Sequence, residues 1–410
     1  SINSYWMNEY KVDGFRFDFT KGIDNNIKGS NDPWGSNYDA DRIALLKRMA
    51  DEIWERNPNA IVILEHLAVN SEEEELADYG MLMWGNMNHN YGEAAMGYNE
   101  SGKSNFSGIS YKNRGWSNPH LIGYMERHDE ERLMYKNVTY GNSSGYYDIQ
   151  DTIRALERMG LVSGFFYTVL GPKMMGQFGE LGYDYSINFN GRLGEKPVRW
   201  DYYQNYYRKY LHDVVASLLK LRHENEVFRT TNFDLDVGGA LKKMHLNGTE
   251  MDVCIIGNFD LVEGSIDPDF QHTGWWYDYF HGDSLNVTNV NDQITLNPGE
   301  YRIYTDVRLE TPQINTGIFS PVDQTNDLIQ SFFPNPTNGQ INMILNIPET
   351  GNYSLNIFDI AGRQVYMESE RTFSKGLNYI NTDVQDLEDG LYFMQISSSY
   401  LSETVRIIKN

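Results

Sequence analysis

Over the first 227 residues, short apolar runs alternate with longer amphipathic stretches, as strands and helices do in a parallel sheet. Residues 12–19 predict the first strand, and the continuous β-branched run at 61–64 reads as a strand buried on both faces. Between them, Ile43, Leu45, Leu46, Met49, Ile53 and Trp54 recur at three-to-four spacing behind Asp39 or Asp41, which predicts a helix over 42–56. Asn70-Ser71 followed by Glu72 to Glu75 reads as a capped helix start with its acids facing the helix dipole. Further strands are predicted at 80–84, 121–125 and 171–178, and helices at 149–162 and 202–226. The sum is about five strands with interleaved helices.

After residue 228 the helical period disappears. Residues 240–246, 253–259, 275–280 and 301–304 alternate as strands between Gly, Asp and Asn turns, predicting an antiparallel β-sandwich over 228–306. Residues 307–327 are rich in Thr, Pro and Asn and read as a linker. A second all-β unit is expected over 328–410, with strands at 340–346, 353–359 and 390–396.

Composition narrows the chemistry. The 410 residues carry a net charge of −23, which repels nucleic acid and anionic lipid. Hydrophobic residues at 40% and aromatic residues at 14% are those of a folded chain. No apolar run reaches the ~18 residues of a membrane span. Cys254 is the single cysteine, so neither an intrachain disulfide nor a cysteine zinc site is expected. The chain opens Ser1-Ile2-Asn3, in what reads as a helix marked by Tyr5, Trp6 and Tyr10. The expectation is the C-terminal part of a longer protein.

Three acids follow apolar strand runs: Asp18, Glu65 and, after a short turn, Asp129. In a βα barrel those strand ends form one bowl. Period two along the first strand puts Arg16 and Asp18 on one face, where the guanidinium would favour an ionised nucleophile. The apolar run before Glu65 would instead favour a protonated acid. Paired carboxyls with opposed environments are the parts of a glycosidase.

The segments VDGFRFDFTKG, ILEH and MERHDEERL, followed by QFGELGYD, resemble in order the signature segments of the alpha-amylase family of glycoside hydrolases. The resemblance implies a partial (β/α)8 TIM barrel over 1–227 that lacks its first strands, followed by two all-β sandwich domains. It implies Asp18 as nucleophile, Glu65 as general acid/base and Asp129 as the third carboxylate. Arg16 would orient Asp18, His128 would bind the sugar, and Lys21 would bind the aglycone side, although Gly22 replaces the neighbouring histidine of that pattern. The implied substrate is an α-glucan, with branching-type transfer and non-catalytic glucan binding as alternatives. The chain by itself, short of three strands, is expected to be inactive and poorly soluble.

No cofactor is required for that chemistry, and no metal ligand is assigned. A structural calcium stays open: Asp24, Asn25, Asn26 and Asp32 form an oxygen-rich loop without calcium-loop spacing, which reads as a solvated turn. Trp84, Tyr91, Trp116 and Tyr124 offer faces for glucose but each reads first as packing, and Trp275-Trp276-Tyr277 as core. In the tail, FFPNPTNG, YSLNIFDIAGRQVY, LEDGLYFMQI and ETVRIIKN resemble the sorting domain of the type nine secretion system of Bacteroidetes. The implied partner is the secretion machinery, engaged through 328–410, and the implied destination is the cell surface or the medium.

Overall fold

The computed structural model describes residues 2–23, 32–145, 147–312, 314, 328–333, 335–337, 339–398 and 401–409. They divide into two compact units, Ser1–Ile314 and Asn315–Asn410. The first unit opens with helix α1 (Ile2–Tyr10) and continues through β1 (Gly14–Phe17), α2 (Ala40–Trp54), β2 (Ile61–Leu64), α3 (Asn70–Tyr79), β3 (Leu82–Asn86), α4 (Asn88–Met96), β4 (Leu121–Tyr124) and α5 (Leu133–Tyr140). A two-residue hairpin, β5 (Ser143–Ser144) and β6 (Tyr147–Asp148), leads to α6 (Thr152–Tyr167), β7 (Lys173–Met174) and α7 (Tyr206–Glu224).

Strands β1, β2, β3, β4 and β7 lie side by side in that order, each pair parallel. The sheet is curled like half of a barrel wall. Helices start where small acids cap them: the Asp39 carboxylate accepts from the amides of Asp41 and Arg42, and Asp151 accepts from those of Ile153 and Arg154. The strand predicted over 171–178 shrinks to two residues, because Gly171 at φ 88° and the turn that follows break the ladder. Helix α3 has Val69 at its N-cap with no side-chain cap, and its first-turn acids Glu72 and Glu73 are buried rather than facing solvent. Helices α4 and α5 lack a predicted period; they form because the sheet and α6 cover Tyr91, Ala94, Ala95, Leu133 and Met134.

The strands β8 (Phe233–Asp236), β9 (Leu241–Leu246), β10 (Val253–Asn258), β11 (Gly264–Ile266), β12 (Gly274–Asp278), β13 (Ser284–Val287), β14 (Ile294–Leu296) and β15 (Tyr301–Thr305) make a six-stranded sheet, β13-β12-β15-β10-β9-β8, and a β11-β14 pair. Their shared core contains Cys254, Ile256, Ile266, Phe270, Trp276, Leu296 and Tyr304. Trp276 is fully buried, whereas Trp275 on the opposite face is 55% exposed, as strand alternation requires. Buried cations bind this sheet to the chain that precedes it. Arg158 of α6 donates to the carbonyls of Ala94, Ala95 and Phe259, and Lys242 of β9 donates to those of Ser104, Val237 and Gly239. Glycine sets the spacing: a Cβ at Gly257 would lie 2.5 Å from the Phe165 ring, and one at Gly164 would lie 2.9 Å from Tyr301. Gly257→Ala is therefore expected to destabilise the protein by about 1–3 kcal/mol through overpacking. The midpoint of urea unfolding measures it, and an unchanged midpoint contradicts the tight α6–β10 contact.

Among its described residues, the second unit has seven strands: β16 (Ile329–Phe333), β17 (Gln340–Ile347), β18 (Gly351–Asp359), β19 (Gln364–Phe373), β20 (Gly376–Asp383), β21 (Gly390–Ser397) and β22 (Ser402–Lys409). They form two antiparallel sheets, β16-β17-β20 and β19-β18-β21-β22, around Ile341, Met343, Leu345, Tyr353, Ile357, Met394 and Ile407. The DIAGR turn closes on itself: Asp359 accepts from the amides of Ala361 and Arg363 and pairs with the Arg363 guanidinium at 2.7 Å. Most of the predicted linker, 313 and 315–327, lies outside the described residues. No helix among the described residues is long and apolar enough to cross a membrane.

Candidate active site

The parallel sheet sends its candidate acids out of one edge. Phe17 pairs with Leu64, so Asp18 and Glu65 leave β1 and β2 side by side. The Glu65 amide donates to the Phe17 carbonyl at 3.0 Å, and the Thr20 amide donates to the Glu65 carbonyl at 2.9 Å. Asp129 follows the same end of β4. Left-handed backbone marks this rim: Phe19 (φ 42°), Leu67 (φ 55°) and Phe178 (φ 55°) each follow a strand of the sheet. Bulky residues rarely adopt that conformation, and such strain concentrates at functional sites.

Two arginines gather the acids. Arg16 donates to Asp18 Oδ1 at 2.7 Å and, through its other terminal nitrogen, to Glu65 Oε2. Arg127 meets Glu65 Oε1 at 2.9 Å and Asp129 Oδ2 at 2.7 Å. Its Nε lies 2.7 Å from Glu130 Oε2, an ion-pair contact without hydrogen-bond alignment. Both guanidiniums lie over the Trp84 indole, 4.2 and 4.9 Å from its centre. Trp84, Ile122 and Tyr124 form the apolar floor below.

Exposure separates the three acids. The side chain of Asp18 is 78% exposed, that of Asp129 41% and that of Glu65 only 8%. Glu65 does not sit among apolar groups as its sequence neighbours predict. Two guanidiniums occupy its carboxylate, because its spatial neighbours come from β1 and from the segment after β4. Burial pushes the Glu130 carboxyl above the usual range; Arg127 opposes this, and the charges of Asp129 and Glu65 add to it. Glu130 also accepts from Asn86 Nδ2 at 2.7 Å. Arg16 Nε, Arg127 Nε, Glu130 Oε2 and Tyr124 Oη are buried without a hydrogen-bond partner among the described residues.

His128 Nε2 lies 3.2 Å from Asp129 Oδ2 on an exposed side chain, and Arg192 approaches Asp129 from the other side at 3.5 Å. Lys21 does not join the cluster. Its ammonium donates to Ser36 Oγ at 3.2 Å and to the Leu67 carbonyl at 3.0 Å, tying down the loop after Glu65. The aromatics Trp84, Tyr91, Trp116 and Tyr124 are all buried and serve as packing. Exposed rings stand instead at Phe19 and Trp34, edge to face at 6.4 Å beside Asp18. A cavity of about 600 Å3, lined by Tyr98, Tyr135, Tyr140, Lys136, Glu131 and Ser186, lies to one side and includes none of the three acids. Of the oxygen-rich loop, Asp32 accepts from the amides of Ser36 and Asn37, while Asp24, Asn25 and Asn26 lie outside the described residues.

Arg127 and Glu130 escaped sequence reasoning. Within MERHDEERL they look like solvated charges, and the one available signal was their proximity to Asp129. Only the fold shows that Glu65 shares the Arg127 guanidinium.

Residues 331–410 match the family described as Secretion system C-terminal sorting domain. No curated protein matches the sequence. Among solved structures, the chain is similar to AmyP in complex with maltose, with a TM-score of 0.53, 15% identity, and coverage of 74% of this chain and 66% of that one. It is similar to the alpha-amylase from Geobacillus thermoleovorans complexed with acarbose, with a TM-score of 0.52, 13% identity, and coverage of 74% and 62%. A cyclomaltodextrinase gives a TM-score of 0.53 at 15% identity, with coverage of 74% and 47%. The chain thus spans less than two thirds of the length of these structures. At such identity the likeness carries the fold. The region before the tail has the architecture of alpha-amylase family proteins, and residues 331–410 are a secretion system C-terminal sorting domain that sends the chain to the cell surface or beyond.

Proposed function

We propose that residues 1–227 are the C-terminal part of an eight-stranded catalytic barrel, in a retaining glycoside hydrolase acting on α-1,4-glucans such as starch or glycogen. In this reading residues 228–306 are its β-domain, 307–327 a linker and 328–410 the sorting domain. The observation that carries the reading is the shared pairing: Arg16 spans Asp18 and Glu65, and Arg127 spans Glu65 and Asp129. One guanidinium bound to two carboxyls brings Asp18 and Glu65 into a single site, as the paired-carboxyl chemistry of glycosidases requires. The fold likeness to an alpha-amylase and a cyclomaltodextrinase supports it.

The chemistry follows from exposure. Asp18, the open carboxylate, attacks the anomeric carbon, and Glu65, which takes up a proton as substrate loosens its guanidinium contacts, protonates the departing glycosidic oxygen. Glu65, now the base, takes a proton from water, which displaces Asp18 and retains the α configuration. Arg16 orients Asp18, while Asp129 and His128 bind sugar hydroxyls. Lys21 supports the aglycone side through the loop it anchors, and Phe19 and Trp34 offer stacking faces.

The complete protein incubated with amylose is expected to release reducing ends whose first-formed anomer is α by proton NMR. New α-1,6 branches without reducing-end release establish glycosyl transfer instead. Binding of amylose with neither product overturns the enzymatic reading in favour of a glucan-binding surface protein.

A further inference from the structure

Far along the chain from the acid cluster, three side chains converge at one end of the six-stranded sheet. Asp252 immediately precedes β10, Asp306 immediately follows β15, and His272 lies two residues before β12. These strands are neighbours in the order β12-β15-β10, so the three residues meet although they are spread over more than fifty positions. His272 Nε2 lies 3.2 Å from Asp306 Oδ2 and 4.0 Å from Asp252 Oδ2. One oxygen or nitrogen of each residue falls within 4.8 Å of the others.

Each of the three is held by its other polar atom. Asp252 Oδ1 accepts from the Gly248 amide at 3.0 Å, and Asp306 Oδ1 accepts from the Asp252 amide at 2.8 Å. His272 Nδ1 lies 2.9 Å from the Thr273 carbonyl oxygen. A carbonyl only accepts, so Nδ1 carries a proton, and Nε2 is hydrogen-bonded to the Asp306 carboxylate, which also only accepts; without metal the ring pairs with Asp306 as an imidazolium, whose Nε2 proton a bound metal would displace. The ring also lies against the buried Trp276 at 4.9 Å, and the Trp276 indole donates to the His272 carbonyl at 3.1 Å.

Nε2 and two carboxylate oxygens therefore lie together, and among the described residues no lysine or arginine pairs with either carboxylate. Two carboxylates around one imidazolium leave an excess of negative charge, which a divalent cation taking the place of the Nε2 proton would neutralise. The backbone carbonyl on the far nitrogen is the partner that metal-bound histidines use to fix their tautomer. We propose that Asp252 Oδ2, His272 Nε2 and Asp306 Oδ2 form a divalent transition-metal site of the zinc type, with water completing the shell. In a tetrahedron of ~2.0 Å bonds, donor atoms stand roughly 3.3 Å apart. The Asp306–His272 pair already matches that spacing, and Asp252 needs a small side-chain rotation. The ion would tie the ends of three strands together, a stabilising role separate from glucan chemistry.

The test uses the complete protein freed of metal with EDTA and titrated with ZnCl2 by calorimetry, with thermal unfolding followed in parallel. One Zn2+ per chain is expected, together with a rise of several degrees in melting temperature at saturation. Asp306→Asn keeps the acceptor for the Asp252 amide, and His272→Gln keeps a polar side chain. Each is expected to weaken Zn2+ binding at least tenfold and to remove the thermal shift. Bound Co2+ should give visible absorption that the variants lose. The proposal is overturned if Zn2+ fails to bind stoichiometrically or binds all three proteins alike. It is also overturned if His272→Gln lowers the melting temperature equally with and without Zn2+, which would make the cluster a protonated ion pair only.

Discussion

Asp18→Asn in the complete protein is expected to lower kcat for amylose cleavage by at least about 10³-fold while leaving the melting temperature unchanged. The separation follows from exposure. The Asp18 side chain is 78% exposed, and among the described residues it is ion-paired with Arg16 alone, so its loss removes a nucleophile and costs little packing. Glu65→Gln should abolish cleavage too, but with a second signature. Its carboxylate is 8% exposed and carries both Arg16 and Arg127, so the amide leaves two guanidiniums short of a counter-charge and lowers the melting temperature. Activity assays and melting curves on the two variants therefore separate chemistry from scaffolding. An Asp18→Asn protein that still cleaves amylose, or that differs from wild type in nothing measurable, means that these carboxylates do no chemistry.

What the sequence made legible follows from the range of its signals. The run Ile61–Leu64 appears as a strand at its predicted residues, and 12–19 contains β1, because apolar runs record burial along the chain. Asp18, Glu65 and Asp129 stood out because each ends such a run. What lies across the sheet leaves no trace in a run: the apolar residues before Glu65 gave no warning of Arg16 and Arg127 on its carboxylate. Helix α4, NHNYGEAAM, has too few apolar positions to show a period and owes its form to contacts made after folding. The acids of α3 read as first-turn partners of the helix dipole, and that reading carried no sign that Glu72 and Glu73 are buried.

Those two adjacent glutamates are expected to give opposite pH dependences of stability. Burial pushes the Glu72 carboxyl up, but hydrogen bonds from His66, Arg42 and the Asp39 amide outweigh it and hold it at about 2, against 4.5 in an open chain. Burial also pushes Glu73 up, and there Arg114 at 3.3 Å and the Ala68 amide compensate too little, leaving it at about 7. A depressed carboxyl stabilises the fold above its open-chain value and loses that contribution as pH falls from 4.5 through about 2. A raised carboxyl stabilises below 4.5 and loses its contribution as pH rises through about 7. Each shift corresponds to about 3 kcal/mol. Glu72→Gln should therefore weaken the protein by about 3–5 kcal/mol at neutral pH, because it also removes a charge partner of the buried Arg42, and should do so least in acid. Glu73→Gln should match wild type near pH 4.5 and exceed it above pH 7. Denaturant midpoints measured across this range decide the matter, and parallel curves for the two variants would show that neither carboxyl is held as described. The consequence reaches the acid cluster. His66, next to Glu65, donates from Nε2 to Glu72 at 2.8 Å, and the Ala68 amide donates to Glu73, so both glutamates grip the loop that carries Glu65. His66 is itself held neutral by burial, so acid works against the same loop from two sides. With cleavage and melting followed together as pH falls toward about 2, where the Glu72 carboxyl takes up its proton, loss of cleavage should therefore precede global unfolding, as the Glu72 anchor releases the loop before the sheet gives way.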